Sequence, residues 1–256
     1  MNSFFSASNH FLFFENFFSS MIRCGITTNF YGDCNYYYEG GTDDCIKHLG
    51  KVFHASEIFI PFPQNGTTII QAQKEEEKGL RRLIKRKKIE TKIHKADGDG
   101  IILRHKKFSK RRPLIIFPTG DCPIVLLHNK KVSALVHCGW RGLQGKILSS
   151  AVSSLVKKGL IDATKTKAII WPGICQAHYQ ISENVAQYFP DDTNNCCLDL
   201  AGATQRELLS LNFSMQNIVT PEFCSFHSQE NEENIFSSHR RGDKTRNIVF
   251  ISLNLS

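Results

Sequence analysis

The opening stretch, MNSFFSASNHFLFFENFFSS, has no lysine or arginine, carries Glu15 in its middle and holds no long uninterrupted apolar run. A secretory signal needs a basic start and a continuous apolar centre, and a membrane span needs about 20 apolar residues, so neither reading suits it. It reads as a leader over residues 1–20, untranslated or disordered, with Met21 as the alternative start because the first strand-like pattern, MIRCGITTNF, begins there. The chain also lacks internal repeats and Pro/Gly-rich linkers that would divide it. Its 256 residues, 41% of them hydrophobic, therefore predict one domain over residues 21–256 with a real core.

No RNA- or DNA-binding signature with interleaved aromatics accompanies the net charge of +8, so no nucleic-acid partner is expected, and no membrane. Many of the basic residues crowd into KEEEKGLRRLIKRKKIETKIHK, Lys74 to Lys95. This basic insertion reads as a solvated face, helical over Lys74 to Lys88, and offers a surface for a protein partner. Nine cysteines without an export signal, with Cys196 and Cys197 adjacent, point to reduced thiols in a cytoplasmic setting rather than a disulfide framework.

Short β-branched and aromatic runs flanked by breakers predict strands at EIFIPF (57–62), GTTIIQA (66–72), GIIL (100–103), PLIIF (113–117), CPIVLL (122–127), VSALVH (132–137), AIIW (168–171) and NIVFISL (247–253). The first two read as strands around a Pro/Gln/Asn/Gly turn. After residue 142 the period changes to about 3.6, with Leu143, Ile147, Ala151 and Leu155 on one stripe, which predicts a helix ending at Gly159. Further helices are expected at ISENVAQYF, capped by Ser182, and at LDLAGATQRELLSLNF. The mixture lacks strict β-α alternation and points to an α+β fold.

The stretch GDCPIVLLHNKKVSALVHCGWRG, Gly120 to Gly142, puts Cys122 and His137 at the ends of two strands. Cysteine and neutral histidine are zinc ligands, and two of them with a distant third would leave an open position for an activated water. The pair equally suits a nucleophile and its base, or a buried thiol and a satisfied imidazole. In Gly-Trp-Arg-Gly the glycines permit close backbone approach, and Arg141 beside a helix start suggests an anion site. Arg240 and Arg241, in SSHRRGDKTR, are candidates for a phosphate clamp because guanidinium forks match phosphate oxygens.

Taken together these segments resemble the YfiH/YlmD family, variously labelled polyphenol oxidase or laccase domain, purine nucleoside phosphorylase and peptidoglycan editing factor. GDCPIVLLHNKKVSALVHCGWRGLQGKI is similar to that family's ADC-P…HAGWRG segment, WPGICQAHYQISENVAQYF to its GP-I…YEV segment, and IFSSHRRGDKTRNIVFISL to its closing FSYRR…GR segment. CGITTNF resembles the opening G-x-T-T-R. The resemblance covers Met21 to Leu253 and implies a single α+β domain of two mixed β-sheets in a central sandwich flanked by helices.

It also implies metal ligands at Cys122 and His137 and a third at a Q-x-H-G turn, where this chain has Asn65 in FPQNGTT; His54 in VFHASEIF is a competing placement. Zinc is the expected cofactor. Copper is disfavoured, since no His-x-His pair supplies a redox centre. Asp99 matches the aspartate of the family's A-D-A-L-V-T segment and is expected to bind ribose or orient a ligand. Asn29, Gln180 and His239 stand where the family has Arg, Glu and Tyr.

The implied activity is phosphorolysis of purine nucleosides such as adenosine and inosine, with purine nucleoside and phosphate as substrates, and zinc-dependent adenosine deamination in some members. Two alternatives stand beside it: a Cys/His hydrolase of the peptidoglycan-editing kind, and a non-catalytic relative that binds a partner through the insertion.

Overall fold

The computed structural model describes residues 5–8, 10–14, 18, 22–31, 44–72, 91–108, 111–230 and 232–254. In chain order its elements begin with β1 (Phe5–Ser8), β2 (Phe11–Phe14), β3 (Ile22–Thr27), α1 (Asp44–Val52), β4 (Glu57–Phe62), β5 (Ile69–Gln71), β6 (Lys92–Asp97) and β7 (Gly100–Arg104). They continue with β8 (Pro113–Thr119), β9 (Ile124–His128), β10 (Val132–His137), α2 (Trp140–Gln144), α3 (Ile147–Lys157), β11 (Lys167–Ile170) and α4 (Glu183–Ala186). The hairpin of β12 (Thr193–Asn194) and β13 (Cys197–Leu198), then α5 (Leu200–Ser210) and β14 (Ile218–Val219), precede a second hairpin, β15 (Gln229–Glu230) with β16 (Glu233–Asn234), and the last strand β17 (Asn247–Leu253).

Two mixed sheets result, one of seven strands in the order β1-β2-β3-β17-β8-β4-β6 and one of six in the order β14-β11-β9-β10-β7-β5. They face each other across a core that includes Phe59, Ile115, Phe117, Val249 and Ile251 from the first and Ile101, Leu103, Ile124, Leu126, Leu135 and Ile169 from the second. The alternate residues of the same strands face outward into two further cores. Leu114, Ile116, Ile248 and Phe250 pack against Ile46 and Leu49 of α1. Val125, Leu127, Ala134 and Val136 pack against Ile147, Ala151 and Leu155 of α3 and Leu208 of α5. Covered on both faces, these strands read as continuous apolar runs instead of alternating ones.

The expected helix after residue 142 is two helices. Lys146 adopts left-handed backbone, φ 60°, and separates five-residue α2 from α3. α3 then ends as expected: Gly159 has φ +63°, and Leu160 N–H donates to the Leu155 carbonyl at 3.0 Å, closing the terminal turn. Asp199 caps α5 by accepting from Gly202 N–H, whereas Ser182 makes no side-chain cap to the four-residue α4.

The segment read as a leader contributes two strands to the seven-stranded sheet. β1 pairs with β2, and β2 pairs with β3 in the register Leu12 to Ile26. Phe11 lies edge-on to Phe250, ring centroids 5.8 Å apart, and Phe14 edge-on to Trp171. Phe11 and Phe14 thus bury in the cores, which accounts for apolar residues in a segment with neither a signal's nor a span's layout. Strands β4 and β5, expected to flank one turn, belong to different sheets.

The tail of the basic insertion, Lys92 to Lys95, forms strand β6 beside β4; its helix expected at Lys74 to Lys88 lies outside the described residues. Seven cysteines are free thiols, in keeping with the sequence expectation, but Cys45 at the start of α1 is disulfide-bonded. No described helix is long and apolar enough to cross a membrane.

Candidate active site

Three times the chain passes from the first sheet to the second: between β4 and β5, between β6 and β7, and between β8 and β9. The crossings carry Asn65, Asp99 and Cys122 respectively. Hydrogen bonds tie the first two together, since Gly98 N–H donates to the Phe62 carbonyl, Asp99 N–H to the Thr68 carbonyl at 2.7 Å, and Gln64 N–H to Asp99 Oδ1 at 2.9 Å. β10 returns antiparallel to β7, and its last residue, His137, donates its backbone N–H to the Asp99 carbonyl at 2.7 Å. At the third crossing Thr119 Oγ1 donates to the Cys122 carbonyl at 2.6 Å.

A cleft of about 750 Å³ opens at this rim, bounded by Asn65, Cys122, His137, Trp140, Arg141, Tyr179, His239, Arg240 and Arg246 among others. Cys122 and His137 meet across Gly139: a Cβ placed there would lie 3.1 Å from Cys122 Sγ and 3.4 Å from His137 Nε2. The other ring nitrogen, Nδ1, is 3.9 Å from Asp99 Oδ1, and Asp99 is fully buried. Burial alone would discharge His137, but the neighbouring Cys122 and the Asp99 carboxylate reverse this and hold its pKa up to about 9. Burial likewise opposes ionisation of Asp99; the adjacent His137 ring and the Gly66 and Gln64 backbone N–H groups overcome it and lower its pKa.

The cations are aimed by aromatic rings and by a buried acid. Arg141 lies over Trp140 at 4.3 Å and Arg240 over Tyr179 at 5.4 Å. Asp121 accepts from Ser225 Oγ and Ser238 Oγ, both at 2.7 Å, and from Arg240 N–H at 2.6 Å, which pins the Arg240 turn beside Cys122. Arg241 points elsewhere. Its guanidinium donates to the carbonyls of Ser225, Phe226 and Phe236 and pairs with Asp243, so it braces the loop and does not line the cleft. Arg246 takes a place on the cleft wall instead; it was within the basic segment read from sequence but not singled out.

The cleft does not assemble the zinc site expected from sequence. Asn65 lines it, whereas His54 is exposed beyond the end of α1, so the third ligand position holds an amide. Among the described residues, the one group of three or more Cys, His, Asp or Glu side chains with converging ligand atoms is Cys175, His178, Cys224 and His227, which excludes both Cys122 and His137. Two good ligands and an amide do not fit a resident zinc centre of the three-ligand kind. The anion site expected at the helix start also weakens, because five-residue α2 sums few peptide dipoles. Asn29 is knitted into the loop scaffold, accepting from Ser237 Oγ at 2.8 Å, while His239 lines the cleft and the Gln180 carbonyl accepts from Arg240.

A two-sheet sandwich with a cationic cleft at the rim, holding a buried Asp-His pair beside a thiol, defines a class of small-molecule enzyme sites more than a binding face. The chain belongs to the family described as multi-copper polyphenol oxidoreductase laccase, whose model matches residues 53–254. Curated relatives include a purine nucleoside phosphorylase of Campylobacter jejuni, Cj1217c, 26% identical over 159 residues, 60% of this chain and 65% of that protein. Adenosine deaminase RL5, from an unknown prokaryotic organism, is 27% identical over 139 residues, 48% of this chain and 52% of that protein. The chain thus spans between half and two thirds of the length of these relatives. Two solved structures share the fold along nearly the whole chain. Bacillus licheniformis YfiH has a TM-score of 0.75 at 16% identity, covering 98% of this chain and all of that one. Geobacillus stearothermophilus YlmD has a TM-score of 0.74 at 18% identity, covering 98% and 99%.

Proposed function

We propose that the cleft catalyses phosphorolysis of purine nucleosides, the adenosine and inosine type being the preferred class. The observation that carries this reading is the pairing, in one cleft, of guanidinium groups from Arg141, Arg240 and Arg246 with the charged His137 beneath Gly139. Several relatives bear the name purine nucleoside phosphorylase, which agrees with it. Arg141 and Arg240 hold inorganic phosphate, and one phosphate oxygen attacks C1′ as the bond from C1′ to the purine nitrogen breaks. The electron pair of that bond goes to the purine. His137 delivers the Nε2 proton to the leaving base, while Asp99 keeps the ring oriented through Nδ1. The proton lost by the phosphate on forming the sugar ester restores the imidazolium. No metal step is derived for this cleft, and adenosine deamination through a metal-bound water is not part of the reading.

The test is base release from adenosine and inosine with and without phosphate, with ribose 1-phosphate identified as product. Release that needs phosphate and falls at least 100-fold in His137→Gln supports the reading. Absence of base release from a folded, monodisperse sample refutes it.

A second reading rests on the same chain of groups seen differently: Asp99, His137 and Cys122 lie in the order of an orienting acid, a base and a nucleophile. In that case Cys122 attacks an amide carbonyl, and turnover proceeds without phosphate through a covalent acyl-enzyme detectable by mass spectrometry.

A further inference from the structure

Two short turns outside the cleft each place a cysteine and a histidine three residues apart. The first is Cys175-Gln-Ala-His178, where His178 N–H donates to the Cys175 carbonyl at 3.1 Å. The second is Cys224-Ser-Phe-His227, held by Ser228 N–H to the Cys224 carbonyl at 3.0 Å and by Cys224 N–H to Ser228 Oγ at 2.8 Å. Forty-five residues lie between the turns in sequence, yet all four ligand atoms fall within 4.8 Å of one another.

The spacings have the size of tetrahedral edges. With metal-sulfur bonds near 2.3 Å and metal-nitrogen bonds near 2.05 Å, a tetrahedron has edges of about 3.3 Å between nitrogens and about 3.6 Å between nitrogen and sulfur. The two Nδ1 atoms of His178 and His227 are 3.3 Å apart, and Cys175 Sγ is 3.1 Å from one and 3.8 Å from the other. Cys224 Sγ accepts backbone N–H groups from Cys175 at 3.2 Å and Phe226 at 3.4 Å, which orient it and help carry negative charge on a ligating sulfur. The His178 ring is fixed by stacking on Phe226, centroids 4.5 Å apart at 17°.

We infer that Cys175, His178, Cys224 and His227 form a closed Cys₂His₂ site for a structural zinc ion, separate from the residues that carry the reaction. Two thiolates and two imidazoles in this geometry select zinc over oxygen-seeking cations. With all four positions filled by protein, the ion has no place for water or substrate and its role is to staple the two turns. What the staple holds is one wall of the cleft. Tyr179, the residue after His178, carries Arg240 on its ring. Ser225, the residue after Cys224, donates to Asp121, which pins the Arg240 turn. Zinc here therefore fixes Arg240 without touching it, and this holds whatever reaction the cleft performs.

The experiment uses full-length Cys122→Ala protein, in which the cleft has lost its sulfur, so that any metal measured belongs to the turns. Purified without chelator and dialysed, it is expected to carry about one zinc per chain by elemental mass spectrometry. Cobalt replacing that zinc is expected to give the thiolate-to-metal charge-transfer absorption of a tetrahedral sulfur-containing site. The Cys224→Ala, His227→Ala double variant is expected to lose the ion. Alkylation of wild-type protein provides a readout that does not depend on how that variant folds. Iodoacetamide labelling of Cys175 and Cys224, mapped by peptide mass, is expected to slow at least 10-fold with zinc relative to a chelated sample. Absence of bound zinc and of cobalt uptake in folded Cys122→Ala protein overturns the inference. So does a Cys175–Cys224 disulfide, or labelling at equal rates with and without zinc. Phosphorolysis assays bear on none of these outcomes, so the two proposals fail separately.

Discussion

Adding one methyl group at Gly139 tests the geometry of the site directly. The backbone there, φ −68° and ψ 160°, suits alanine as well as glycine. The new Cβ would stand 3.1 Å from Cys122 Sγ and 3.3 Å from His137 Cε1, closer than the roughly 3.5–4.0 Å at which non-bonded atoms settle. The thiol and the ring must each retreat by several tenths of an ångström. Misplacement by 1 Å costs about 100-fold in rate, so Gly139→Ala is expected to lose about 10-fold in kcat. Stability should change by no more than about 1 kcal/mol, since the poorer N-cap and the stiffer unfolded chain act in opposite directions. Initial phosphorolysis rates and urea unfolding measure the two effects. Gly159→Ala is the converse control. Nothing lies within 4 Å of a Cβ there, but φ is +63°, so that variant loses about 1 kcal/mol of stability and keeps its turnover. A Gly139→Ala protein with wild-type kcat and unchanged alkylation of Cys122 would show that the thiol and imidazole do not act as a fitted pair.

Arg240→Ala is expected to raise KM for phosphate at least 10-fold, and Arg241→Ala to leave KM near wild type while lowering stability by about 1–3 kcal/mol, because three loop carbonyls lose a donor. Steady-state kinetics at varied phosphate, with urea titrations, separate these outcomes. Phe11→Ala should destabilise by about 3 kcal/mol, a Tm loss of several degrees, as it empties the space among Phe250, Phe53 and Tyr31; an unchanged Tm would mean that β2 contributes nothing to the fold. His128 is buried, and burial, His105 and Lys167 together push its pKa down to about 3 from 6.5. The unfolded chain therefore binds the extra proton first, and stability falls as pH drops from 6.5 towards 3, by a ceiling on the order of 5 kcal/mol. The slope should flatten in His128→Leu, and parallel profiles for the two proteins would contradict it.

Much of the framework is legible in the chain because β-branched runs end at Gly, Pro and Asn. β17 occupies the predicted NIVFISL, and β10 the predicted VSALVH. Sheet membership was not legible. EIFIPF and GTTIIQA look like neighbours, but a strand's apolar faces do not record which sheet it joins, and the turn between them crosses the sandwich. Strand β6 was hidden because KIHKAD is polar and exposed on much of its surface, as an edge strand is. Within the site, Cys122 and His137 stood out as polar residues ending apolar runs. Arg241 could not be told from Arg240, since adjacent residues on a turn diverge according to their hydrogen-bond partners. The repeated Cys-x₂-His spacing is visible in the chain, but nothing in the sequence records that turns so far apart fold against each other.

The three crossings between sheets give the rim a mechanical character. Asn65, Asp99 and Cys122 are each anchored on one side to a strand of the seven-stranded sheet and on the other to a strand of the six-stranded one. The gap between the sheets is set by interior side chains such as Phe117, Leu126 and Leu135, and any change in that gap is carried along three strands to the same edge. Interior volume therefore acts as a gauge block for the aperture. Enlarging Leu135 would press the seven-stranded sheet away and shift the crossings that carry Asn65 and Cys122 relative to His137, altering the chemistry from within the oily layer with no polar atom changed.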